Sequence, residues 1–264
     1  MSLVCILLYA NLRSPPEDDH AQEPVYFNRT TEQSTIAPEQ TDEPASEQNE
    51  QELESETNSE PEPYESPVDF DALWTINTDV YAWLDIPGTE ISYPILQSAE
   101  ADDYYLRRNI ERESDSNGVI WTEGSYNGTD FTDPLTVIYG HNMNNGKMFG
   151  TLQSVYSSQE ALEEHSEIVI YLPDRELHFT VFAAVPYDNR HILYNYDFTD
   201  KRTFRLFFQE ILSVRAIQAV YAEDAAVSSN ERTIILSTCL NGNRSNRFLV
   251  CGKLAEMIPS DENK

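Results

Sequence analysis

Basic residues are scarce in this chain of 264 residues. Lysine and arginine together number 17 against 46 aspartates and glutamates, and the formal net charge at pH 7 is -29. A field of this sign repels polyanions, so the composition excludes nucleic acid as a partner. Cysteine is also rare, because the three thiols at Cys5, Cys239 and Cys251 are too few, and odd in number, for a disulfide scaffold. Any function of these thiols must be individual.

Long hydrophobic runs are absent as well. The apolar run over residues 3–10 is well short of the roughly 20 residues that a membrane-spanning helix needs. Residues 1–13 are therefore expected to be the remnant of a membrane anchor, whose upstream half lies outside this sequence, or an incomplete signal-peptide core. The anchor is favoured because a long polar segment follows directly.

That polar segment, residues 14–67, has no glycine and few large apolar residues. It holds eight prolines, and its 16 acidic residues face one basic residue, Arg29. Such a composition cannot bury enough surface to offset the conformational entropy lost on ordering. We predict that residues 14–67 form a disordered acidic stalk rich in proline and glutamate, and that residues 68–264 form the folded domain.

From residue 68 the pattern is that of a β-rich domain. Asp69 can cap a short N-terminal helix. Short β-type runs separated by turn residues then predict strands over 82–86, 91–96, 118–122, 135–139, 167–172, 177–185, 232–237 and 248–254. Helical spacing predicts a short helix over 159–165 and a longer one over 199–217. The predicted fold class is β-rich α+β, with a barrel or a sandwich in one domain.

Three reactive residues lie beside predicted strands. His141 follows the strand over 135–139, Cys239 follows the strand over 232–237, and Arg247 precedes the last strand. Strand ends can hold side chains rigidly at a cleft. A thiol nucleophile, an imidazole that carries the proton and a guanidinium that stabilises an oxyanion form a set suited to acyl transfer. Taken singly, each has a plainer interpretation as a buried thiol, a turn histidine or a surface arginine.

The motifs around these residues are more specific than the residues alone. They read Tyr139-Gly-His-Asn-Met, Leu236-Ser-Thr-Cys239 and Arg247-Phe-Leu-Val, and they follow Trp83-Leu-Asp-Ile-Pro-Gly and Gly118-Val-Ile-Trp121 in the chain. This ordered series resembles class B sortases of Gram-positive bacteria, and the similarity extends from about residue 69 to residue 254. A long helix before the cysteine-bearing strand also fits class B.

The resemblance implies a closed sortase-type β-barrel of about eight strands, with an N-terminal helix and a long helix inserted before the cysteine-bearing strand. It implies a cysteine transpeptidase that cleaves a C-terminal sorting signal of a surface protein after its threonine. The acyl fragment would be held as a thioester and passed to an amine of a lipid-linked peptidoglycan precursor. The implied location is the extracellular face of the cell membrane, with the chain anchored at its N-terminus.

The resemblance also assigns roles to individual residues. By motif match, Cys239 is the nucleophile, His141 is the general acid and base, and Arg247 stabilises the oxyanion. Arg244 competes for the last role, but it is expected in a loop over 240–246, whereas Arg247 directly precedes a strand. The residues expected to bind substrate are Asn109, Leu193, Tyr194, Ser237 and Thr238.

Other functions stay open on the sequence alone. A pilus-polymerising sortase would use a pilin lysine as acceptor, and a hydrolytic Cys/His protease would use water. A stalked surface adhesin is the non-enzymatic alternative, in which the three reactive residues are coincidental. No cofactor or metal is expected, because the other histidines have no partners at metal-ligand spacing.

Overall fold

A computed structural model describes residues 26–27 and 64–259 of the chain. The predicted anchor over 1–13 and most of the predicted stalk lie outside the described residues. Within the described ranges, no helix is long and apolar enough to cross a membrane.

Between residues 64 and 259, nine strands form one sheet that closes on itself. Their bounds are β1 Val80–Asp85, β2 Ser92–Leu96, β3 Ile120–Trp121, β4 Leu135–Tyr139, β5 Glu167–Tyr171, β6 Arg175–Tyr187, β7 Val220–Tyr221, β8 Thr233–Leu240 and β9 Asn243–Pro259. Eight of them form a ring in the order β5-β1-β2-β3-β4-β8-β9-β6, which the pairing of β5 with β6 closes. The short β7 pairs with β6 outside this ring. The prediction of a closed barrel of about eight strands is confirmed.

Helices are few and mostly short. They are α1 Phe70–Ile76, α2 Leu152–Val155, α3 Gln159–Glu164, α4 Ile192–Asn195 and α5 Lys201–Ser213, with a 3-10 helix over Tyr104–Arg107. Asp69 caps α1 as predicted, because its Oδ1 accepts a hydrogen bond of 2.8 Å from the backbone N–H of Ala72. The helix α5 ends at Ser213 rather than at residue 217. Its buried face ends at Ile211, and Ile217 is fully exposed, so packing gives the chain no reason to continue the helix.

The strands β4 and β8 are covered on both faces. Ile138 and Leu236 point into the barrel interior, whereas Val137 and Ile235 pack with the buried face of α5 outside it. Strands buried on both faces read as continuous apolar runs, which is how both appear in the sequence. The two strands therefore hold the residues at their carboxyl ends in fixed positions.

The segment between Cys239 and Arg247 is not the predicted loop. β8 continues to Leu240, which pairs with Asn243, so that Asn241 and Gly242 form a two-residue turn. Asn-Gly is a strong hairpin signal, and Gly242 takes the positive φ of 74° that favours glycine. Residues 244–246 bulge from β9, because the next pair after Leu240 and Asn243 joins Cys239 to Arg247.

The structure describes Tyr26, Phe27 and residues 64–67 of the predicted stalk, and the first two lie on the folded domain. The ring of Phe27 stacks 5.9 Å from that of Trp83 and lies 5.2 Å from that of Tyr171. The backbone N–H of Asp69 donates a hydrogen bond of 3.0 Å to the carbonyl of Tyr26. The structure thus places Tyr26 and Phe27 on the domain rather than in a detached stalk. For residues 14–25 and 28–63, the disordered stalk stays a prediction.

Candidate active site

The pairing of β4 with β8 brings the segment that contains His141 next to the strand that carries Cys239. The two strands are parallel neighbours, and Tyr139 is paired with Ser237. His141 follows the end of β4 by two residues, and Cys239 lies two residues after Ser237 within β8. The side-chain amide of Asn142 donates a hydrogen bond of 2.7 Å to the carbonyl of Cys239, so the chains remain adjacent beyond the end of β4.

Arg247 reaches the thiol from the other side. It is the residue of β9 that pairs with Cys239, and its Nη1 lies 4.0 Å from the Cys239 Sγ. The same nitrogen donates to the backbone carbonyls of Arg244 and Asn246, each at 3.3 Å. The bulge therefore holds the guanidinium beside the sulfur with its carbonyl oxygens. Arg244 contributes only its backbone to this arrangement, and its side chain is exposed.

His141 is oriented by a backbone carbonyl. Its Nε2 lies 2.7 Å from the oxygen of Leu106, in the 3-10 helix. A carbonyl oxygen can only accept, so Nε2 carries the hydrogen and Nδ1 of the neutral ring is left to take up a proton. Gly118 makes this contact possible at its φ of 60°, because a Cβ there would lie 2.9 Å from the Leu106 oxygen. The same Cβ would lie 3.1 Å from Cδ2 of His141.

The two described cysteines are in different surroundings. Cys239 is half-buried, whereas Cys251 is completely buried among the side chains beneath α5. Burial raises the pKa of the Cys251 thiol well above its usual range. Because the thiolate is the nucleophilic form, Cys251 is a structural residue.

Alternation along β8 separates two of the predicted substrate-binding residues. Ser237 lies on the same face of the strand as Cys239, whereas Thr238 lies on the opposite face, together with Leu236 of the barrel interior. The Thr238 hydroxyl is buried and has no hydrogen-bond partner among the described residues. The structure thus brings Ser237 to the thiol side but not the side chain of Thr238. The sequence prediction overlooked this period of two.

The other predicted substrate-binding residues line two different cavities. Leu193 and Tyr194 lie in α4 and line a cavity of about 490 Å³. Tyr194 is 75% exposed to solvent. Asn109 lines another cavity, of about 440 Å³, and its Oδ1 accepts a hydrogen bond of 2.8 Å from the backbone N–H of Glu113. The Asn109 side chain thus stabilises a local turn, and it does not line the cavity beside α4.

A buried carboxylate next to the site was missed in the sequence. Glu123 follows β3, and its Oε1 lies 3.0 Å from Nε2 of His191. Its Oε2 accepts a hydrogen bond of 3.1 Å from the hydroxyl of Tyr139. Burial raises the pKa of Glu123, and its contacts with His191 and Tyr139 oppose that shift only in part. Only the fold brings these three residues together, since no spacing in the sequence relates them.

Comparison with known proteins places this geometry in a family. A family model described as the Sortase domain matches residues 84–255. The chain belongs to the sortase family. This sortase is 33% identical to sortase B of Listeria monocytogenes over 184 residues, which are 69% of this chain and 72% of that protein.

Solved structures agree with this assignment. Sortase B of Staphylococcus aureus is 25% identical with a TM-score of 0.62, over 73% of this chain and 89% of that one. Sortase B of B. anthracis, in complex with AAEK1, is 26% identical with a TM-score of 0.62, over 74% of this chain and 87% of that one. The resemblance to class B sortases is confirmed. The chain is a cysteine transpeptidase of the sortase kind, which removes the adhesin alternative.

Proposed function

We propose that this sortase cleaves a C-terminal sorting signal of surface proteins after threonine and transfers the acyl fragment to an amine of a lipid-linked cell-wall precursor. The observation that carries the proposal is the placement of the Arg247 guanidinium 4.0 Å from the Cys239 sulfur. Cys239 itself lies on β8, the strand that pairs with β4, which leads to His141. The proposal includes anchoring through residues 1–13 at the extracellular face of the membrane.

In the first half-reaction, Nδ1 of His141 takes the proton of the Cys239 thiol, and the resulting thiolate attacks the carbonyl carbon of the signal's threonine. Negative charge develops on the carbonyl oxygen, where the guanidinium of Arg247 stabilises it. His141, held at Nε2 by the Leu106 carbonyl, gives a proton from Nδ1 to the leaving amine as the carbon–nitrogen bond breaks. The product is a thioester on Cys239.

In the second half-reaction, the acceptor amine attacks the thioester carbon. His141 takes the proton of the amine at Nδ1, a new amide bond forms, and Cys239 leaves as the thiolate. A pilin lysine would follow the same path, and water would turn the enzyme into a protease. The acceptor is therefore the part of the proposal that distinguishes the alternatives.

The proposed signal-binding groove lies between the thiol and α4. It includes Ser237 on the face of Cys239 and includes Leu193 and Tyr194 on α4. Thr238 and Asn109 are left out, because the first points to the barrel interior and the second lines a separate cavity.

The test combines peptide cleavage with active-site variants. A library of Asn/Ser-Pro-X-Thr-Asn/Gly peptides is incubated with the full chain, and cleavage and thioester formation are followed by mass spectrometry. Cys239→Ala should lose both, whereas Cys251→Ala, the matched control, should retain both. A Cys239→Ala protein that still forms a thioester contradicts the proposal.

Acceptors are then compared in the same assay. Triglycine stands for a cell-wall bridge amine, and a lysine-containing peptide stands for a pilin acceptor. Transfer to triglycine in excess of hydrolysis supports the proposal. Transfer to the lysine peptide alone indicates pilus polymerisation, and release of the free acid alone indicates a protease.

A further inference from the structure

Glu123 connects two parts of the proposed groove. Its carboxylate contacts His191, the residue that caps α4, and Tyr139, the last residue of β4. We propose that Glu123 is a positioning residue, which fixes α4 to the strand leading to His141 and thereby sets the shape of the signal-binding groove. This inference rests on the proposed function.

The ring of His191 attaches the start of α4 to Glu123. Nδ1 of His191 accepts a hydrogen bond of 3.1 Å from the backbone N–H of Tyr194, so this nitrogen carries no hydrogen. Nε2 therefore carries the hydrogen of the neutral ring and donates it to Glu123. A helix of one turn is not stable by itself, so the place of α4 depends on contacts such as this one.

The second attachment lies beside the catalytic histidine. The ring of Tyr139 stacks on that of Trp121 at 5.5 Å with an angle of 27° between the planes, and the Trp121 ring lies 6.2 Å from that of His141. The Glu123 carboxylate holds the hydroxyl of this stacked tyrosine. Burial, and then the adjacent Glu123 charge, raise the pKa of Tyr139, so the phenol stays protonated and keeps donating.

The side chain of Glu123 is only 11% exposed, so water cannot easily replace it as an acceptor. Removing the carboxylate would leave the Tyr139 hydroxyl and the His191 ring without their common partner. We expect α4, with Leu193 and Tyr194, to lose its fixed position. The thiol and its immediate partners contact other residues and should be unaffected.

The experiment measures kcat and KM of the full chain with a quenched peptide of the Asn-Pro-X-Thr-Asn kind. Glu123→Ala should raise KM about tenfold and change kcat by less than about threefold. Iodoacetamide should alkylate Cys239 at the wild-type rate. Glu123→Gln should restore KM, because the amide can accept from His191 with its oxygen and donate to Tyr139 with its nitrogen.

The matched control is a second glutamate–histidine contact. Glu176 Oε1 lies 3.2 Å from Nε2 of His178 on the strand β6, away from α4. Glu176→Ala should leave KM and kcat unchanged. If Glu123→Ala does not fold, His191→Ala removes the same contact by changing its other partner, whose side chain is 40% exposed. This variant should raise KM by a similar factor.

Two results overturn the inference. One is an unchanged KM in folded Glu123→Ala or in His191→Ala, and the other is a parallel fall of kcat and of the alkylation rate, which indicates general damage to the site. Failure of the wild type to cleave any peptide rejects the proposed function instead. If the wild type cleaves the peptide and the Glu123 and His191 variants have the wild-type KM, only the proposed role of Glu123 is rejected.

Discussion

The guanidinium of Arg247 contacts two backbone carbonyls and one thiol, and these contacts fix its position. Its guanidinium is held by two carbonyls of the bulge, 4.0 Å from the sulfur, so it is in place before charge develops on a bound carbonyl oxygen. Lysine lacks the planar fork of the guanidinium. Its single ammonium group would contact either the carbonyls of the bulge or the oxyanion, but not both. The neighbouring Arg244 contacts this guanidinium through its backbone carbonyl, which any residue supplies.

We therefore expect Arg247→Ala and Arg247→Lys to lower kcat by about 10² to 10³-fold. Arg244→Ala should change kcat little. Single-turnover acylation of the thiol, followed by mass spectrometry, measures both effects. A larger loss in Arg244→Ala than in Arg247→Ala would contradict the assignment.

The residues of the site were predictable to different degrees. Cys239, His141 and Arg247 could be found because each borders an apolar β-type run with a recognisable motif. Glu123 could not, because its partners come from two distant segments and its burial exists only in the folded barrel. The sequence prediction ended the strand at residue 237, whereas β8 continues through Cys239, and its alternation places the side chain of Thr238 on the face opposite the thiol.

At the scale of elements, the close approach of Gly118, just before β3, to the 3-10 helix leaves the Leu106 carbonyl in contact with Nε2 of His141. Gly118→Ala would place a Cβ 2.8 Å from the Tyr105 carbonyl and 2.9 Å from the Leu106 carbonyl, at a φ that disfavours alanine. The Leu106 oxygen must then move away from Nε2 of His141. We expect the single-turnover acylation rate to fall at least about tenfold, by analogy with other misplaced catalytic groups.

The control for Gly118 is another glycine with positive φ. Gly88 has a φ of 78° in the turn between β1 and β2, and a Cβ there would contact the ring of His165. Gly88→Ala should lower the melting temperature and leave the acylation rate unchanged. Equal acylation rates in Gly118→Ala and Gly88→Ala would show that the Leu106 carbonyl does not orient His141.

The docked pair Tyr26 and Phe27 acts as an element of the domain. Phe27→Ala removes a ring that contacts Trp83 and Tyr171, and such aromatic pairs contribute about 0.5–1.5 kcal/mol each beyond the buried area. The melting temperature of the variant should fall by several degrees in a thermal scan. Deletion of residues 1–25 is the control and should leave it unchanged. Equal melting temperatures for Phe27→Ala and wild type would show that the docking adds no stability.

Among the elements, strands were predicted better than their connections. Periodicity and apolar runs located each ring strand, because burial imposes them on the sequence. The hairpin at Asn241 and Gly242 was missed in favour of a loop, although its turn signal is local. The docking of Phe27 was not predictable, because it depends on an aromatic surface formed by β1 and β5, far along the chain.

At the scale of the whole molecule, the stability of the barrel depends on pH through His178. Its Nδ1 lies 2.8 Å from Glu167 and its Nε2 lies 3.2 Å from Glu176. Burial lowers the pKa of His178, but the hydrogen bonds to the two glutamates outweigh burial and raise it above its ordinary value. Its stabilising contribution is therefore complete below about pH 6.5 and is lost as pH rises through the higher folded-state pKa.

The free energy of unfolding should show this dependence directly. The difference between wild type and His178→Gln should be larger at about pH 5.5 than at about pH 8.5, as measured by urea denaturation. His165→Gln serves as the control, since no carboxylate contacts the ring of His165 in the described residues. A difference that grows with pH would contradict the direction of the pKa shift.

The parallel pairing of β4 with β8 also sets the order in which the enzyme acquires its parts during folding. Cys239 and Arg247 meet across a hairpin, which closes quickly because few residues separate them. The chain beside His141 meets Cys239 only across 97 residues, counted from Asn142. Contacts that distant form late, because the chain must first lose much of its freedom. We therefore expect a partly folded chain to bring Cys239 and Arg247 together before His141 joins them, so that competence for catalysis should coincide with closure of the barrel.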